Sequence, residues 1–147
     1  MTDMTQDLDD AAIERIALGV LDCTLPKSEW SHAAHFAAAL WLLRHRPHVA
    51  TPAAMRETIR HYNEATDTPN TDEGGYHHTI TIASLRAAAA HLAGYPGEIG
   101  LSAILAALLT SPLGKPDWLL GYWRRDRLFC RDARHDWREP DIAPLPF

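Results

Sequence analysis

Ala33-Ala34-His35-Phe36-Ala37-Ala38-Ala39-Leu40-Trp41-Leu42-Leu43 is apolar on nearly every side of the helix it would form. A helix without a polar face needs neighbours all round it, so this segment belongs at the centre of a helical assembly. Ser28 is a capping residue upstream of it, and Pro47 stops the helix after Arg44 or His45.

The flanking sequence carries further helical signals. Asp9 or Asp10 can cap a helix that places Ile13, Ile16, Val20 and Leu21 on one face and ends near Thr24-Leu25-Pro26. Thr51-Pro52 supplies a capping hydroxyl and a first-turn proline. The helix that follows buries Met55, Ile59 and Tyr62 and turns Arg56, Glu57, Arg60 and Glu64 outward. After a polar loop from Ala65 to Gly75, a fourth helix runs from about Tyr76 to Ala93 and closes at Gly94. A short strand at the β-branched run Thr79-Ile80-Thr81-Ile82 is the weaker alternative. Ile99 to Leu109 forms a fifth helix packed on the second, and two shorter helices span Pro116–Trp123 and Leu128–Trp137.

The expected fold is therefore all-α: one compact helical domain over residues 1–147, with about five main helices and short C-terminal ones. Residues 1–8 are expected to be disordered. The proline-rich residues 138–147 should lie extended across the body, docked on Trp118, Leu119, Tyr122 and Trp123. The alternative for those four residues is an exposed apolar patch that meets a partner.

The chain has 147 residues, 46% of them hydrophobic and 22% charged, enough for a packed core. Its net charge of −5 argues against general nucleic-acid binding. Nothing resembles a signal peptide or a membrane span, so a cytoplasmic location is expected. Cys23 and Cys130 make neither a disulfide framework nor a cysteine zinc site. There is no phosphate loop, nucleophile elbow or Walker-type lysine.

Nine histidines are many for this length. His45, His48 and His135 fall at helix ends or turns and are expected at the surface, as is His61 beside Glu57. His32 and His35, three apart, share a side of the second helix that continues inward through Phe36. The helix N-terminus favours neutral rings, able to accept a proton or ligate a metal. Zinc or iron would require a third ligand from elsewhere. Core histidines bonded to the backbone are the bland alternative.

A second polar patch gathers Tyr62, Asn63, Asn70, Thr71, Tyr76, His77, His78 and Thr81 around Gly74-Gly75. His77 and His78 would lie about 100° apart on a helix, so one of them can face inward. Thr81, one turn later, selects His77. Asn70 and Thr71 could equally serve only to turn the chain.

The series Ser31-His32-x-x-His35, Tyr62-Asn63, Asn70-Thr71-x-x-Gly74-Gly75-Tyr76-His77-x-Thr79-Ile80-Thr81 and Pro140-Asp141-x-Ala143-Pro144-Leu145-Pro146 resembles a family of small bacterial all-helical proteins. The resemblance covers most of the chain. It implies that the motifs form one site, without naming a reaction. That family usually has an acidic residue after the histidine, where this chain has His78.

These readings lead to a metal-assisted or acid–base enzyme acting on a small molecule. His32, His35 and His77 would hold a divalent metal such as zinc or iron. His77, Tyr76 and Tyr62 would be catalytic, with Trp30, Asn63, Asn70 and Thr81 contacting the ligand. A di-iron site is set aside, since Glu29-x-x-His32 has no second copy. The alternative is a non-catalytic binding or interaction module with structural histidines. Whether the two patches meet, and the oligomeric state, cannot be read from the sequence.

Overall fold

The computed structural model describes residues 8–147, and the fold is all-α. The five main helices are α1 (Asp10–Leu21), α2 (His32–His45), α3 (Pro52–Ala65), α4 (His78–Ala93) and α5 (Leu101–Thr110). Two short helices follow, α6 (Arg125–Leu128) and α7 (Arg131–His135), and single 3₁₀ turns occur at Lys27–Glu29, Pro112–Gly114 and Trp118–Gly121. The strand considered near Thr79 is helical. The disorder expected of residues 1–7 lies outside the described residues, while Leu8 is half-buried against the core.

The second helix is central, as its unbroken apolar surface requires. Ala34 and every residue from Phe36 to Leu42 are buried, and α1, α4 and α5 all pack on this helix. Ala37 and Ala38 present only methyl groups, which lets neighbouring backbones approach. The buried side chains form one cluster that runs from Ile13 to Leu128.

The caps explain most of the boundaries. Asp9 and Thr51 accept hydrogen bonds from Ala12 N and Ala54 N, as their positions predicted. The second helix differs, because Ser31 rather than Ser28 is its cap, accepting from Ala34 N at 3.1 Å. The chain makes one 3₁₀ turn at Lys27–Glu29 and is non-helical at Trp30 and Ser31. Glu29 and His32 therefore do not share a helix.

The tail crosses the body as expected. Trp123 Nε1 donates to Arg138 O at 3.0 Å, Ile142 N donates to Tyr122 O at 2.9 Å, and Phe147 meets Trp118 edge to face. Trp118, Leu119 and Trp123 are buried and Tyr122 is half-buried, so the four do not form an exposed apolar patch. No helix among the described residues is long and apolar enough to cross a membrane.

Candidate functional site

The first histidine pair is oriented by the backbone. His32 Nε2 donates to Leu113 O at 2.8 Å, while His35 Nδ1 donates to Ser31 O at 2.6 Å. The break at Trp30 folds its indole onto His35, with ring centroids 3.8 Å apart and 26° between planes. Desolvation by close packing, with nearby His32 and Lys27 adding to it, draws the His35 pKa down against the hydrogen bond to Ser31 O, although the residue is exposed rather than turned inward.

The second patch is a connected hydrogen-bond network. Asn70 is its hub: its Oδ1 accepts from Asn63 Nδ2 at 3.1 Å and from Tyr76 N at 2.9 Å, and its Nδ2 donates to Arg60 O at 3.1 Å. Gly75 makes this turn possible at φ +81°, where a Cβ would lie 2.5 Å from Pro69 O. Buried Tyr62 donates to Leu25 O at 2.8 Å, and Asn63 Oδ1 accepts from Lys27 Nζ at 3.1 Å.

His77 has a different role from the one its sequence position suggested. It is the N-cap of α4, with Nδ1 accepting from Ile80 N at 3.2 Å and Nε2 donating to Leu128 O at 2.7 Å. Both ring nitrogens are thus engaged by the backbone, and burial lowers its pKa to about 4. Thr81 hydroxyl donates to His77 O at 2.8 Å and reinforces the same helix start.

His78 is buried as well. Its Nδ1 and the Tyr76 hydroxyl share a hydrogen bond of 2.7 Å. The helical-wheel choice between the two histidines fails because His77 precedes the helix and has extended backbone. Desolvation raises the Tyr76 pKa, whereas desolvation and nearby Arg56 lower that of His78. Arg56 is half-buried rather than turned outward: it donates to His135 O at 2.7 Å and lies over the Tyr76 ring. His135 lies at the surface, its side chain 42% exposed, and is bound through Nε2 to Asp72 at 2.7 Å.

The two patches do touch. Trp30 meets Tyr62 edge to face at 5.6 Å, and Lys27 reaches Asn63. They do not converge as metal ligands. His77 has no free nitrogen, and no group of three histidine, cysteine or acidic side chains among the described residues could hold a metal ion. His32, His35 and His77 therefore do not fit the zinc or iron site expected of them.

The open space lies on the other side of the histidine pair. A groove of about 360 Å³ runs between α2, α4 and the segment from Pro116 to Phe129. Its walls are mostly apolar, from Phe36, Ile80, Trp118, Leu119, Leu128 and Phe129. His32, His35, Ser84, Asp117 and Arg125 are its polar groups. Phe129 is 46% exposed, unusual for so large an apolar side chain. Sequence reading singled out Trp118 and Leu119 on this wall, as a seat for the tail or a partner patch, and missed Leu128 and Phe129, which belong to no motif. A second hollow, of about 160 Å³ beside Asp10, Glu14, Arg44 and His45, is smaller and holds charges of both signs.

Comparison with models of protein families, with curated proteins and with solved structures finds no match for this chain, so the resemblance rests on the quoted motifs alone.

Proposed function

We propose that this chain is a small-molecule-binding protein whose ligand occupies the groove between α2, α4 and residues 116–129. The observation that carries this reading is the contrast between the two polar patches. Around Asn70 and His77 the polar atoms bond to one another and to the backbone. His32 and His35 instead line an open groove of about 360 Å³, within the usual range for small-ligand sites. Apolar walls with a few fixed polar groups suit a ligand that is mainly hydrophobic.

The acid–base alternative has less support. Tyr76 and His78 are both buried away from the groove walls, which limits their access to a substrate. Catalysis would fall to His35, whose lowered pKa makes it a weak base at neutral pH.

A ligand-observed NMR screen of uncharged aromatic fragments tests the reading, with Ser84→Trp as the groove-filling variant. Fragments that bind wild type and are lost from a folded Ser84→Trp protein are expected. Fragments that bind both proteins equally, or a screen without binders, would overturn it.

A further inference from the structure

We infer that the groove selects uncharged aromatic molecules that donate hydrogen bonds, such as phenols or arylamines, over aromatic acids. The inference rests on the groove being a binding site and adds the chemistry of its ligand.

The two main-chain carbonyls decide the matter. Leu113 O and Ser31 O can only accept, so the proton of His32 sits on Nε2 and that of His35 on Nδ1. A ring that carries a single proton there is left with one acceptor nitrogen, Nδ1 on His32 and Nε2 on His35. Neither of these has a hydrogen-bond partner among the described residues. They are acceptors, three residues apart on one side of α2, and both residues line the groove.

An acceptor pair sets a rule for the ligand. A hydroxyl or amine can supply the missing proton. A carboxylate brings only lone pairs, and exposed Asp117, on the segment facing α2, adds a weak like charge. Arg125 is the opposing influence, but it is exposed and lies over the Phe129 ring with the guanidinium 5.7 Å from the centroid. In water an exposed guanidinium attracts a carboxylate weakly. Phe36, Trp118 and Phe129 provide ring faces and edges for the aromatic body.

The test is calorimetric titration of wild type at pH 7.5 with 2-naphthol, 2-methoxynaphthalene and 2-naphthoate, three probes of one ring size. The naphthol should bind about tenfold more tightly than the methyl ether, the difference one donated hydrogen bond can supply, with the naphthoate weakest. The preference for naphthol should shrink in His35→Phe, which keeps a ring against Trp30, and disappear when His32→Phe is added, once circular dichroism shows both variants folded. Equal binding of naphthol and ether to wild type would overturn the donor rule and leave the groove reading standing. Tighter binding of naphthoate would overturn the rule in favour of Arg125. No binding of any probe, or binding unchanged by Ser84→Trp, would overturn both.

Discussion

His77 shows how one imidazole can replace the Ser or Asp usually found at a helix start. Its Nδ1 caps α4 while its Nε2 ties that helix to Leu128, 51 positions later. Replacing it with alanine removes the cap and leaves Leu128 O without its donor. Those two losses together should lower stability by about 3 kcal/mol in urea denaturation at pH 7. His77→Asn, which can still cap, should recover part of the loss. The same ring imposes a pH dependence. Its folded pKa is about 4, below the ordinary imidazole value of 6.5. Between these values the unfolded chain binds the proton that the native state refuses. Stability should therefore be fully present above pH 6.5 and decline as pH falls toward 4, by on the order of 2–3 kcal/mol. His78, lowered in the same direction, adds to this slope. Denaturation midpoints at pH 7 and pH 4.5 measure it, and the slope should be shallower in His77→Ala.

Among the elements, the loop from Thr66 to His77 is held by Asn70 and by the left-handed turn at Gly75. Gly75→Ala would place a Cβ 2.5 Å from Pro69 O and 2.7 Å from Asn70 Cα, both backbone atoms. It should destabilise by at least about 2 kcal/mol, read from its melting curve, because strained φ and a clash act together. The extended tail is a second structural device. Phe147 packs on Trp118, whose indole also lines the groove. Deleting residues 143–147 should weaken 2-naphthol binding by roughly 1 kcal/mol, about the worth of one aromatic pair, and leave helix content unchanged. Much of this layout was legible in the sequence. The proline content marked the tail as extended, and Thr51-Pro52 marked the start of α3. The start of α2 was misplaced because Ser28 and Ser31 are both good caps. Only the packing of Trp30 against His35 and Tyr62 distinguishes them.

At the scale of the whole molecule, α2 contributes to both the core and the site. Its middle, Phe36 to Leu42, is buried among the other helices, while its first turn carries His32 and His35 to the groove. The sequence indicated that histidine pair, and it indicated the density of polar groups around Tyr76. It could not show that one set faces open space while the other is engaged in hydrogen bonds within the fold. That division depends on long-range partners: Leu113 for His32, Leu128 for His77 and Asp136 O for the Thr79 hydroxyl. No local pattern encodes any of them. The groove's far wall was only half legible, since Trp118 stood out as part of an aromatic surface while Phe129 gains meaning only from what it faces. The most direct test of this division of roles is a two-dimensional ¹H–¹⁵N spectrum of the histidine side chains, recorded with and without 2-naphthol at pH 7.5. The unprotonated nitrogens of His35 and His32 should shift on ligand addition, with His77 fixed as its Nε2–H tautomer and unmoved. A shift at His77 with His32 and His35 unchanged would contradict the account and return the site to the Asn70–Tyr76 patch.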